Sequence, residues 1–295
     1  MKEIIRNLLP PIKVHIWGGF GSQLFALIAA QRLNRKFPHR NITMVFHSSG
    51  VTKRHREIPL AFLNAFTILE VDDFSESILL ESSQSQSVNL RIREIRKLVR
   101  DFLARIGCIA DLDFDDNLNQ TKPWLLQTRG HYSYIKLTPG EVLEVCKVLG
   151  ISDTSLSNQL EQSFYIHLRL GDLLNLQTKT HTPVERFLSV LEKQGDKLPI
   201  KVYSDSDPEI VLSIIGANFS PEVLSIGSTN VFETILMGVC SEKFLGTSSK
   251  ISIWISVIRE YFQIGSLTAI PFELYDYVCR LLPNTDIDNS RLLKY

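Results

Sequence analysis

His167, Arg169 and Asp172 stand where polar groups are costly. They punctuate the stretch FYIHLRLGDLL (164–174), which otherwise reads as a buried strand running into a turn. Charged side chains that leave water need partners. The cluster is therefore either a structural ion pair or the holder of a charged ligand. Arg169 carries the clearer chemistry, because a guanidinium presents a fixed fork of donors that matches a phosphate bidentately. His167 can hydrogen-bond a phosphate or sugar oxygen. Further along, GTSS (246–249) precedes an apolar, helix-periodic stretch. A helix starting there offers free N–H groups, a positive dipole end and the hydroxyls of Ser248 and Ser249. Its plain alternative is an ordinary helix cap. Asp205, within YSDSD, and Glu233 offer carboxylates for ribose hydroxyls or a base N–H. Together these residues outline a cradle for a diphosphate with no metal in it.

A second group sits near the start of the chain. GGFGSQ contains Gly18, Gly19, Gly21 and Gln23. Glycines at such a turn let a backbone approach a ligand closely. The spacing departs from GxGxxG, so a dinucleotide fingerprint is not indicated. A plain strand-to-helix turn accounts for it equally. His15, in the apolar run before it, reads as a core histidine.

The elements that must position these groups alternate. Ile12–Trp17 reads as a strand. A helix capped by Ser22 runs to about Lys36, and Ile42–Phe46 is a second strand. That β-α-β unit opens a parallel sheet. After residue 160 the rhythm returns. Strands are expected at 164–168, 200–206, 223–227 and 243–249. Helices are expected at 184–193, 208–216, 231–239 and 251–262. Helices are also expected at 139–149 and 155–161. Every polar cluster follows a strand, and ligands of parallel sheets lie outside the strands' carboxyl ends. The expectation is an α/β protein of two Rossmann-like domains facing a cleft. Residues 1–155 form the first domain and 156–265 the second. Residues 266–295 form a C-terminal segment that packs back on the first.

Composition narrows the function. The chain has 295 residues, with 32 basic against 32 acidic side chains. That balance argues against a nucleic-acid partner. The four cysteines are scattered, without metal-ligand spacing, which points to buried thiols rather than zinc or disulfides. The acidic DLDFDDNLN (111–119) reads as an exposed loop in preference to a metal site, so no metal is assigned. No leader peptide or membrane span is recognised, so a cytoplasmic location is expected. LRIREIRKLVRDFLARI (90–106) places apolar residues on one helical face among six basic ones. Its plain reading is a core-packed helix with a solvated basic face. Its sharper reading is a peripheral contact with the inner face of a membrane.

The order of these motifs resembles the bacterial and animal α1,2-fucosyltransferases, within the GDP-fucose-dependent superfamily. The family's GGxGNQxFQYA corresponds to GGFGSQLFA (18–26), and its GYFQS-like stretch to GHYSY (130–134). Its HxRRGDY corresponds to HLRLGDL (167–173), and its SDD to SDS (204–206). Its late D-x-x-x-M-x-x-C…NSSFSWW corresponds to ETILMGVC…TSSKISIW (233–254). Ser22, Leu170, Leu173 and Glu233 depart from the family's residues.

The resemblance implies a GT-B glycosyltransferase that is inverting and metal-independent, with no cofactor beyond its GDP-fucose donor. Arg169, Ser248 and Ser249 would stabilise the departing GDP, His167 would position it, and Asp205 and Glu233 would contact the nucleoside. Gly18, Gly19, Gly21 and Gln23 would line the donor side. Asp172 and His131 are both candidates for a general base. The acceptor would be a surface glycan, lipid-linked in an O-antigen unit, modified at O2 of a galactose-type residue. Two alternatives stay open. One is a transferase of the same fold using another sugar nucleotide. The other is a non-catalytic nucleotide- or glycan-binding module.

Overall fold

The computed structural model describes residues 9–48, 55–71, 90–112, 115–133, 135–152, 156, 160–169, 184–194, 198–215, 219, 222–224, 230–282 and 291–295. These residues form two compact units, divided between Ile135 and Lys136. The division precedes the boundary read at residue 155. The helix Pro139–Val148 therefore belongs to the second unit.

In the first unit, strand β1 (Ile12–Trp17) leads into helix α1 (Phe20–Lys36), followed by β2 (Ile42–His47). Strand β3 (Thr67–Val71), helix α2 (Leu90–Arg105), β4 (Ile109–Asp111), the short helix α3 (Asp115–Asn119) and β5 (Gln127–Arg129) complete it. The sheet order is β3-β2-β1-β5-β4, and every pairing is parallel. Strand β1 lies in the middle; Ile12, Val14 and Ile16 share one face and are buried, while the other face buries His15 between half-buried Lys13 and Trp17. That is the pattern of a parallel strand covered on both sides. Helix α1 starts earlier than its sequence reading. Gly19 is the N-cap, no side chain caps it, and Ser22 lies inside the first turn. Arg40 ties this unit's lower edge together, donating to the carbonyls of Pro10, Pro123 and Leu125.

The second unit contains helix α4 (Pro139–Val148), β6 (Glu161–Leu168), α5 (Val184–Gln194), β7 (Ile200–Ser204) and α6 (Pro208–Ile215). It continues with β8 (Glu222–Leu224), α7 (Val231–Cys240), β9 (Ser241–Gly246) and α8 (Lys250–Phe262). It ends with β10 (Leu267–Ile270), α9 (Phe272–Leu281) and β11 (Leu292–Lys294). All pairings are again parallel, in the order β11-β10-β9-β6-β7-β8. Counting strands along this unit, the order is that of a Rossmann sheet, in which the chain reverses direction between the first and fourth strands. Here those are β6 and β9. The α/β class and the two parallel sheets match the sequence expectation. The helix expected at 155–161 falls mostly outside the described residues, and its last position, Glu161, begins β6. The described part of the C-terminal segment joins the second sheet as β10, α9 and β11.

Arg259, on α8, is fully buried and locks this unit. Its Nε donates to Thr268 Oγ1 at 3.0 Å, and its Nη1 reaches the carbonyls of Gly238, Val239 and Ser241. Its Nη2 donates to Leu267 O at 2.8 Å. The cation thus sits against the last carbonyls of α7, where a positive charge is favoured. Gly265, at φ +66°, makes room for it, since a Cβ there would lie 2.4 Å from Glu242 O and 2.5 Å from Arg259 Nη2.

Candidate functional site

The sheet reverses between β6 and β9, and Arg169, Asp205, Ser248 and Ser249 follow the carboxyl ends of β6, β7 and β9 there. The backbone N–H of Arg169 donates to Thr247 Oγ1 at 2.9 Å. The Thr247 hydroxyl in turn donates to His167 O at 2.9 Å, and the Thr247 N–H to the same carbonyl at 3.1 Å. Thr247 thereby fastens the residue after β6 to the residue after β9. Arg169 is half-buried at this edge.

Directly behind lies His167. Its ring is buried, its Nδ1 is 2.8 Å from Ser252 Oγ, and it stacks on Tyr203 of β7 at 5.7 Å between centroids. Burial pulls its pKa down to about 4, with the Asp205 carboxylate opposing the shift and the Arg169 cation reinforcing it. The imidazole is therefore neutral at physiological pH. Through these contacts His167 holds the first turn of α8 against β6 and β7.

Ser249 is the N-cap of α8, its side chain accepting from the Ile251 N–H at 3.1 Å. Ser248 precedes it, half-buried. The helix can start this close to the sheet because residue 246 is glycine. A Cβ there would lie 2.7 Å from Ser252 Cβ and 2.9 Å from Phe244 Cε1. Asp205 follows β7 at the same edge, in a turn closed by the Ser206 N–H donating to Ser204 Oγ at 3.1 Å.

Glu233 has a different task. It is exposed, and it forms a capping box with Asn230 at the start of α7. Its Oε2 accepts from the Asn230 N–H at 3.1 Å, and its own N–H donates to Asn230 Oδ1 at 2.9 Å. The nucleoside contact expected of it competes with this cap. Asp172 lies outside the described residues. Sequence reasoning missed Thr247, Ser252 and Tyr203. The signal for Thr247 is its place directly after a strand-ending glycine. Ser252 falls three residues beyond the cap serine, one helical turn in.

The first unit has its own carboxyl edge, at β1 and β5. Gly18 takes φ +93°, a conformation that favours glycine. Gly19 caps α1, and its carbonyl accepts the N–H groups of Ser22 and Gln23. Gly21 is buried inside the helix rather than offered to a ligand. Gln23 is spent on backbone. Its Nε2 donates to the carbonyls of Gly18 (3.3 Å) and His55 (2.8 Å), and its Oε1 accepts from the Glu57 and Ile58 N–H groups. It fixes residues 55–58 to the glycine turn, and a donor contact by its amide would have to displace these bonds.

His131 follows β5 and is exposed. Its ring meets Trp17 edge-on at 6.2 Å. The backbone around it is unusual, with Gly130 at φ +131° and Tyr132 at φ +53°. Tyr132 is held there by its buried hydroxyl, which donates to His15 O at 2.8 Å. A left-handed non-glycine residue beside an exposed histidine is the kind of strain that gathers at functional edges.

His15 and His47 pair beneath this edge. His15 Nδ1 lies 2.8 Å from His47 Nε2, and both rings are buried and stacked. Burial pulls His15 down to about 3, with His47 and then Lys13 adding to it. His15 is thus a core histidine, as its sequence context indicates. Among the described residues no cluster of histidine, cysteine and carboxylate side chains suits a metal ion. Asp111, in the acidic stretch, pairs with Arg129 at 2.6 Å. The four cysteines are free thiols.

No family model matches the chain, and no curated protein matches it. Solved structures do resemble it. A glycosyl transferase family 9 protein from Veillonella parvula has a TM-score of 0.43 at 10% identity, covering 97% of this chain and 86% of that one. The E. coli heptosyltransferase WaaC with ADP has a TM-score of 0.41 at 12% identity, covering 96% and 93%. The NodZ alpha-1,6-fucosyltransferase soaked with GDP-fucose has a TM-score of 0.41 at 10% identity, covering 83% and 91%.

Proposed function

We propose that the protein is an inverting, metal-independent GT-B glycosyltransferase that moves L-fucose from GDP-fucose to a glycan hydroxyl. The observation that supports it most is the junction of Arg169 with Thr247, which directly precedes Ser248 and Ser249, at the reversal point of the second sheet. A diphosphate placed there would meet a guanidinium fork, two serine hydroxyls and the N–H groups opening α8. The ordered motifs that resemble the α1,2-fucosyltransferases support GDP-fucose as donor and O2 of a galactose-type residue as acceptor.

In this mechanism the acceptor oxygen forms a bond to C1 of fucose while the C1–O bond to the diphosphate breaks. The bonding pair leaves on GDP. Arg169 and the α8 N-terminus neutralise the charge that develops there, the role a metal fills elsewhere. Their placement before the reaction costs no reorganisation, because Thr247 and His167 already fix both strand ends. The acceptor proton passes to a general base, for which His131 and Asp172 remain the candidates. Attack from the face opposite the leaving group inverts the anomeric centre, through an oxocarbenium-like transition state.

A thermal-shift panel tests this reading, using GDP, GDP-fucose, GDP-mannose, UDP-galactose and NADH on wild type and Arg169→Ala. A ligand selective for the native state raises the melting temperature by mass action. GDP compounds should stabilise wild type and not the variant, and EDTA should leave turnover of GDP-fucose unchanged. A shift by UDP sugars alone would remove the fucose assignment. GDP binding without transfer to any galactoside would favour a non-catalytic module. No shift by any nucleotide would make the cradle a structural junction.

A further inference from the structure

Helix α2 turns its apolar face outward. Ile95, Leu98, Val99, Phe102 and Ile106 are between 41% and 69% exposed, whereas Leu103 is half-buried. The patch continues onto the loop before β5. Trp124 is 54% exposed, and its indole N–H donates to Ile106 O at 2.5 Å. Scattered exposed apolar residues are ordinary, but a contiguous stripe of this size marks a surface with a partner. The core-packed reading therefore fails for Ile95, Leu98, Val99, Phe102 and Ile106.

The charge of the helix indicates which partner. Leu90–Arg105 carries Arg91, Arg93, Arg96, Lys97, Arg100 and Arg105 against Glu94 and Asp101, within a chain whose total charge is balanced. An apolar stripe on a strongly basic helix suits an anionic lipid surface. The apolar side chains enter the acyl boundary, and the cations meet the headgroups. Trp124 fits the same interface, with its polar tip already bonded and its ring exposed. No helix among the described residues is long and apolar enough to cross a membrane, so the contact is one that lies on the surface.

We propose that α2, together with Trp124, docks the first unit on an anionic membrane. The proposal stands apart from the transferase reading and does not depend on it.

The test is co-sedimentation of the full chain with vesicles of phosphatidylcholine alone and of phosphatidylcholine mixed with phosphatidylglycerol. Wild type should bind the anionic vesicles at least about tenfold more tightly, and the preference should fall as salt rises. Leu98→Ser/Phe102→Ser should lower that binding by about tenfold or more while leaving the melting temperature unchanged, since both side chains are exposed. Arg93→Glu/Arg96→Glu should abolish the anionic preference. Absence of binding to anionic vesicles overturns the proposal, as does equal binding by the variants. A melting temperature lowered by Leu98→Ser/Phe102→Ser, without vesicle binding by wild type, would overturn it in favour of contact within this chain. A concentration-dependent dimer lost in that variant, again without vesicle binding, would overturn it in favour of a second copy.

Discussion

Arg169 and Thr247 are joined at 2.9 Å, main-chain N–H to hydroxyl, across the point where the second sheet reverses. Thr247 is 3% exposed and bonds to β6 twice more through His167 O. A single hydroxyl thus aligns the two strand ends that carry the cradle. Thr247→Val keeps the shape and removes the hydroxyl. It should cost about 1–3 kcal/mol of stability by leaving the Arg169 N–H unpaired. GDP affinity should fall with it, because the cradle loosens. Thr247→Ser should restore both. Urea unfolding and GDP titration of the three proteins check this, and a GDP affinity that follows side-chain volume rather than the hydroxyl would count against it.

Arg169 itself should matter to ligand and not to fold. It is half-buried at an edge, so Arg169→Ala should leave the melting temperature of the unliganded protein nearly unchanged. A charge-assisted hydrogen bond is worth about 1.5–3 kcal/mol, so GDP should bind about 10–100-fold more weakly. Arg169→Lys should recover part of that loss, because it keeps the charge and loses the fork. Calorimetric titration with GDP reads all three proteins.

Much of this cradle was legible before the fold. Polar residues directly after apolar strands are a local signal, and parallel sheets bring such ends to one edge. The strand order was not legible, because β6 meets β9 through contacts some eighty residues apart. Nor was the pairing of His15 with His47, since nothing local links β1 to β2 except their parallel register. Strands β10 and β11 escaped because LTAI and LLK are too short to show a period. Glu233 carried a second local signal, since its spacing from Asn230 is a capping signature that the structure shows formed. Helix α2 was read with its helical period right and two covers left open, the core and a membrane surface. Amphipathicity tells which face is apolar, and says nothing of what covers it.

The buried Arg259 should be a centre of stability. It is wholly inside, with its donors spent on carbonyls of α7, β9 and the start of β10. Arg259→Leu leaves those carbonyls without this donor in an apolar setting, and at about 1–3 kcal/mol for each acceptor left unsatisfied it should destabilise by about 3 kcal/mol or more. Gly265→Ala should do comparable harm by another route, forcing a Cβ against Glu242 O and the guanidinium at a positive φ. Denaturant unfolding of each variant measures the loss. A change within about 0.5 kcal/mol at either position, the usual range for surface substitutions, would show that the junction is not where the stability resides.

The two buried histidines set a pH dependence whose sign is fixed. Folding lowers His167 from 6.5 to about 4 and His15 from 6.5 to about 3, both mainly through burial. Below 6.5 the unfolded chain takes up protons at these rings and the native protein does not. Stability should therefore be level above that pH and decline as pH falls through the window down to about 4. Each ring contributes a slope of up to about 1.4 kcal/mol per pH unit. Ordinary carboxylates add little until about pH 5, so the upper part of the window isolates the histidines. Urea unfolding at about pH 7.5 and about pH 5.5 should show wild type losing stability, and His15→Gln/His167→Gln losing clearly less. Equal losses in the two proteins would mean that the rings accept protons in the native state. Burial would then not hold the His167 imidazole neutral at the edge of the cradle.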